Sequence, residues 1–245
     1  MSDNSNTNTN INTNELLHKH LQQISDTYDT FTPIDHRNHL KKLKNRGFEP
    51  LVIYDIGAGV LTWTRCAKEL WPDALFIVFD AFEHASFIYE EHEVEHYIGV
   101  LGNRDNKLVK FYQNEYYVFG SSYYRDVDYQ TFGQYDLNDY LKLPMYTLDT
   151  VVERNEFPWP DLIKISVEGS EKDVIEGAAE CLSQCERLIV NMYHEPVKLG
   201  APRVYQTLPY ISQLGWGCDA PCFCDNGNNC DYGFYNKNFI RGVFS

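Results

Sequence analysis

The stretch LVIYDIGAG, residues 51–59, decides the fold. From Leu51 to Ile56 it is apolar except at Asp55, as expected of a strand buried on both faces. Gly57 and Gly59 let the chain turn sharply and approach a ligand closely. Leu61 to Leu70 then reads as a helix, stopped at Trp71-Pro72. A strand that enters a helix through a glycine turn sets unpaired N–H groups and a positive dipole end beside that turn.

Downstream the same alternation repeats. ALFIVFD (74–80) is a strand, Glu83 to Glu95 a helix, and YIGVL (97–101) a third strand. LVKFYQN (108–114) and YYVF (116–119) read as an inserted hairpin. Gly120 to Pro144 is long, polar and rich in tyrosine, and is expected to act as a lid or acceptor surface with Tyr123, Tyr124 and Tyr129. DLIKISV (161–167) is a strand, Glu171 to Cys181 a helix, RLIVNMY (187–193) a strand and Pro202 to Leu214 a helix. The stretch from Trp216 to Phe244 reads as two strands with a Cys-rich connection. The predicted class is α/β and Rossmann-like: a mostly parallel seven-stranded sheet, helices on both faces, and an N-terminal helical extension.

Upstream, Glu15 to Tyr28 and His36 to Arg46 carry helical spacing, with Gly47 as a C-cap. Residues 1–14 are low-complexity and are expected to be disordered. Residues 15–245 then form one domain, with helices over 15–47. The basic run Lys41, Lys42, Lys44, Arg46 reads as a solvated helix face.

Composition narrows the partners. A net charge of −14 disfavours nucleic acid and anionic membranes. No stretch is long and apolar enough to span a bilayer, and the first residues have no signal-peptide core, so a cytoplasmic protein is expected. Seven cysteines, an odd number, suggest free thiols in a reducing compartment. Cys218, Cys222, Cys224 and Cys230 could hold a structural zinc, but lack the paired CxxC spacing. They read as free thiols in a connecting loop, and no metal is expected.

A dinucleotide fingerprint requires glycine at position 62, which is Thr62, so an NAD(P)-dependent oxidoreductase is the weaker alternative. Asp55 beside the turn suits the positive charges of S-adenosylmethionine better than a pyrophosphate. Asp80 ends the second strand about twenty residues past the glycines, where it can accept from ribose hydroxyls or cap the next helix.

Three further motifs carry a resemblance. KISVEGSE (164–171), YTLDTVVE (146–153) and NMYHEPVKLGAP (191–202) lie in order behind YDIGAG and VFDAFE. Together they resemble the FkbM-type methyltransferases over roughly Pro50 to Leu214. The resemblance implies a class I methyltransferase fold and methyl transfer from S-adenosylmethionine to a hydroxyl of a sugar, glycan or other small molecule. It implies a cofactor set of Asp55, Gly57, Ala58, Gly59, Asp80, Ala81, Leu101 and Ser166. Ser166 stands where the family has Asp, and a serine does not easily replace a carboxylate. That departure keeps open a module that binds the cofactor without turnover.

An alcohol acceptor needs its proton removed. Polar residues at the carboxyl ends of strands are the candidates. His194, after RLIVNMY, is the expected base or else a structural histidine. Glu168 is expected to orient substrate or cofactor, or else to be a helix N-terminal charge.

Overall fold

The computed structural model describes residues 6–28, 34–113, 120–127, 140–225 and 227–239. Two helices, α1 (Asn6–Tyr28) and α2 (Ile34–Asn45), precede the sheet. α1 therefore begins within the low-complexity segment expected to lie outside the fold. The strand–helix series follows: β1 (Val52–Ile56), α3 (Thr62–Leu70), β2 (Leu75–Asp80), a short 3-10 turn at Glu83–Ala85, α4 (Ser86–Glu91) and β3 (Glu95–Ile98).

An insertion carries β4 (Val100–Leu101), β5 (Lys107–Phe111) and β6 (Leu141–Tyr146). The chain then runs α5 (Leu148–Asn155), β7 (Leu162–Ile165), α6 (Glu171–Glu176), α7 (Ala179–Gln184), β8 (Arg187–Tyr193), α8 (Val204–Gln213), β9 (Trp216–Asp225) and β10 (Asn229–Asn236).

The seven-stranded sheet has the order β3-β2-β1-β7-β8-β10-β9, with β10 antiparallel to both its neighbours and the other pairs parallel. This is the expected Rossmann-like sheet. β1 lies between β2 and β7, so the connections leave in opposite directions at its carboxyl end, where such folds open a crevice. Alternation along β1 divides the core. Ile53 packs with α3 and the N-terminal helices, whereas Tyr54 and Ile56 pack on the opposite face.

Five readings need correction. The helix expected over Glu171 to Cys181 is two, α6 and α7, parted at Gly177 and Ala178. YIGVL is not one strand: β3 stops at Ile98, and Val100 and Leu101 join a second, three-stranded sheet of order β4-β6-β5. The helix expected over Glu83 to Glu95 ends at Glu91, and Glu95 opens β3. Lys107–Phe111 pairs antiparallel with Leu141–Tyr146, so the hairpin closes across the whole insertion; YYVF lies outside the described residues. The Cys-rich connection is not a set of free thiols, because Cys222 and Cys230 form a disulfide with Cα atoms 5.2 Å apart. β9 bulges between Ala220 and Cys224, and Cys222 adopts φ 44° there.

The parallel register sets Asp55 opposite Lys164, with both side chains on the α3 face. Lys164 Nζ lies 3.0 Å from Asp55 Oδ1, and Thr64 Oγ1 donates to Asp55 Oδ2 at 2.6 Å. Both ionic groups are buried. Lys164→Met should therefore lower unfolding stability by about 3–5 kcal/mol in a urea titration, because Asp55 keeps its burial and loses its countercharge. A loss below about 1 kcal/mol would mean that the pair is not what holds β1 to β7 at this end.

Candidate active site

The crevice at the carboxyl ends of β1, β2 and β7 is a cavity of about 310 Å³. One end is the glycine turn. Gly57 takes φ 79° and Gly59 φ 53°, and a Cβ on Gly57 would sit 1.9 Å from the Ser166 carbonyl oxygen. Only glycine lets β1 turn this close to β7. Lys164 Nζ donates to the Gly57 carbonyl at 3.3 Å and so supports the turn from below.

Asp80 stands beside it. Its Oδ2 accepts from Gly59 N–H at 2.8 Å and its Oδ1 from Phe82 N–H at 2.9 Å. Burial raises its pKa against these bonds. Asp80 thus caps the following turn and also lines the cavity. A carboxylate offers about four acceptor sites, so two remain open to a ligand. Ala81, Val100 and Leu101 supply an apolar wall next to it. A nucleoside with a polar amino-acid tail fits this sequence of surfaces: backbone at the turn, acid at the strand end, apolar wall beyond.

Glu168 sits at the tip of the β7–α6 connection with φ 56°, an uncommon backbone for a residue with a side chain. Tyr193 OH donates to its Oε2 at 2.5 Å, and burial beside Glu168 pushes the Tyr193 phenol far up. Glu171 closes the same loop from within. Its Oε1 accepts from Val167 N–H at 3.0 Å and Gly169 N–H at 3.2 Å.

The first part of the long insertion is pinned over the cavity. Lys198 Nζ donates to Gly120 O at 2.6 Å and pairs with Asp126 at 2.8 Å. Tyr123 and Tyr124 both donate to Asp173 Oδ2 at 2.7 Å. Tyr123 lines the cavity, while Tyr129 lies outside the described residues.

The cavity brings together Gly57, Ala58, Gly59, Asp80, Ala81, Leu101, Ser166 and Glu168. Two expected residues are not on its wall. Asp55 is fully buried and faces Lys164 and Thr64, and it does not line the cavity. His194 does not line the cavity either. Asn191 and Tyr193 turn toward it, and strand alternation sends residue 194 the other way. His194 Nε2 lies 3.2 Å from Tyr232 OH, with the two rings stacked.

Sequence reading missed His36, Trp63, Asn191 and Asp231, which also line the cavity. Asn191 is on a recognised strand and could have been found by the same alternation. His36 and Asp231 lie 195 positions apart and carry no shared motif.

The sheet order, the glycine turn and the acid after β2 define a Rossmann-like class I methyltransferase fold. A family model, the methyltransferase FkbM domain, matches residues 55–215. The chain belongs to the FkbM methyltransferase family, its cofactor is S-adenosylmethionine, and the oxidoreductase alternative falls away. No curated protein sequence matches it.

Solved structures similar to it include a precorrin-6y C5,15-methyltransferase from Geobacter metallireducens GS-15, at 12% identity and TM-score 0.45 over 82% of this chain and 87% of that one. An O-methyltransferase family protein from Burkholderia thailandensis is 10% identical, with TM-score 0.44 over 95% and 60% of the two chains. Human N-acetylserotonin methyltransferase in complex with SAM is 12% identical, with TM-score 0.42 over 91% and 56%. Among the described residues no helix is long and apolar enough to cross a membrane.

Burial raises the Glu171 pKa from 4.5 to about 7. The folded chain then holds this proton more tightly than the unfolded chain does. The group's favourable contribution is full below 4.5 and is lost as pH rises through about 7. Thermal melts at pH 5 and pH 8 should show a larger drop in Tm for the wild type than for Glu171→Gln, whose amide oxygen still accepts the two N–H groups. Equal drops would contradict the assignment.

Proposed function

We propose that the protein transfers the methyl group of S-adenosylmethionine to a hydroxyl of a sugar, glycan or other small molecule. The observation that carries this reading is Glu168. It is a carboxylate in a left-handed backbone conformation, oriented by Tyr193, in the cavity that holds the cofactor turn. Residues held in such conformations cluster where function requires them.

When bound, adenosylmethionine supplies an electrophilic methyl group on a positively charged sulfur. The turn at Gly57, Ala58 and Gly59 would hold the amino-acid tail, Asp80 the ribose, and Ala81 and Leu101 the base. Ser166 contributes a hydroxyl at the floor and no charge. Glu168 accepts the proton of the attacking hydroxyl while Tyr193 fixes its other oxygen. The base role expected of His194 passes to Glu168, which faces the cavity. Asn191 and Asp231 offer hydrogen bonds, and Trp63 and Tyr123 aromatic surface, to a polyhydroxylated acceptor.

Adenosylhomocysteine should bind the wild type in calorimetry, and Asp80→Ala should weaken it by about 1–3 kcal/mol. Glu168→Gln should leave that affinity nearly unchanged and lower transfer of labelled methyl to a panel of sugars and alcohols by roughly 10²-fold or more. Absence of adenosylhomocysteine binding in the wild type would overturn the reading. Binding without transfer to any hydroxyl would favour a non-catalytic module, the reading that Ser166 supports.

A further inference from the structure

At the end of the cavity away from Asp80, three elements meet at one buried point. α2 brings His36, β9 brings Cys224 and β10 brings Asp231. One ligand atom from each lies within 4.8 Å of the others, and all three residues are buried. Asp231 and Cys224 face each other across the β9–β10 register, so their side chains share one face of the sheet. Phe223 stacks on His39 at 4.1 Å and meets His36 edge-on at 5.2 Å, which fixes the imidazole from α2 against this face.

His36 is incompletely satisfied as it stands. His36 Nε2 lies 3.1 Å from Asp231 Oδ2, while Nδ1 is buried with no hydrogen-bond partner among the described residues. Buried polar atoms without partners are uncommon and call for a missing group. Sulfur, nitrogen and oxygen donors in one set match zinc-class ions and not magnesium or calcium, which take oxygen. Three protein ligands are the number found where a zinc ion keeps a position for water or substrate. His36 and Asp231 both line the cavity and Cys224 does not, so the side left for that position is the cavity side.

We propose that His36, Cys224 and Asp231 bind one zinc-class divalent ion whose remaining position opens into the cavity and takes an oxygen of the methyl acceptor. Binding releases the Cys224 thiol proton to solvent. The ion also ties α2 to the β9–β10 hairpin, which gives the N-terminal extension a part in the site. The acceptor's place on the ion rests on the hydroxyl-methylation reading; the ion site itself does not. The other three-donor group among the described residues, His194 with Cys222 and Cys230, has two of its donors in the disulfide.

The test uses the full chain with its disulfide intact and no added thiol, stripped with a chelator and titrated with Co²⁺. The wild type should bind a single ion, with a near-ultraviolet sulfur-to-cobalt band and strong visible bands that Zn²⁺ abolishes. Cys224→Ser should remove the sulfur band. His36→Asn and Asp231→Asn should each weaken binding by roughly 100-fold or more, and Cys218→Ser should change nothing. Azide should shift the visible bands, since the remaining position is open; unshifted bands would overturn the acceptor's place on the ion.

Adenosylhomocysteine calorimetry on the same samples reports on the fold and on the cofactor reading separately. If Cys224→Ser fails that control, His36→Asn carries the test. A wild type that binds adenosylhomocysteine but gives no sulfur-to-cobalt band overturns the ion site. A wild type that binds cobalt but no adenosylhomocysteine keeps the ion site and overturns the methyl-transfer reading joined to it.

Discussion

Lys164 and Asp55, both buried, meet at 3.0 Å on neighbouring parallel strands. Their register sets where β1 ends relative to β7. That relation brings Gly57 against the Ser166 carbonyl and forces the left-handed turn. The same lysine supports the Gly57 carbonyl, and the same aspartate holds Thr64 at the start of α3. Turn, helix start and cavity floor therefore share one buried charge pair. Such a pair contributes more to geometry than to net stability, because desolvation offsets much of its attraction.

From this base the cavity is built by short connections that are themselves fixed. Asp80 joins the β2 end to the glycine turn. Glu171 ties down the loop that carries Glu168, and Lys198 fastens Gly120 of the insertion to the segment after β8. A methyl-transfer site requires its groups held in place, since the protein's main contribution is positioning. The polar residues farthest from Asp80 belong to the N-terminal helices and the C-terminal hairpin, outside the alternating core.

The parallel core was legible because its signals are local. β1, β2, β7 and β8 are apolar runs with a turn or helix start directly after them, and Gly57 and Gly59 mark a bend that needs no distant partner. The Asp80 position follows from the same short-range logic. What escaped depends on register or docking. The Cys222–Cys230 pairing follows from a bulge in β9, and four nearby thiols do not announce which two will meet. His194 follows the expected strand but faces Tyr232, because Asn191 and Tyr193 take the cavity side. The partner of Asp55, Lys164, lies on a distant strand, so nothing local marks Asp55 as a paired, buried group. His36 could be placed only once α2 was seen docked beside β10.

The most direct measurement is a crystal structure of the protein with adenosylhomocysteine. The account predicts the ribose hydroxyls on Asp80, the amino-acid tail over the turn from Gly57 to Gly59, and the sulfur facing the part of the cavity that holds Glu168. A ribose bound away from Asp80, or a sulfur turned away from Glu168, would contradict it.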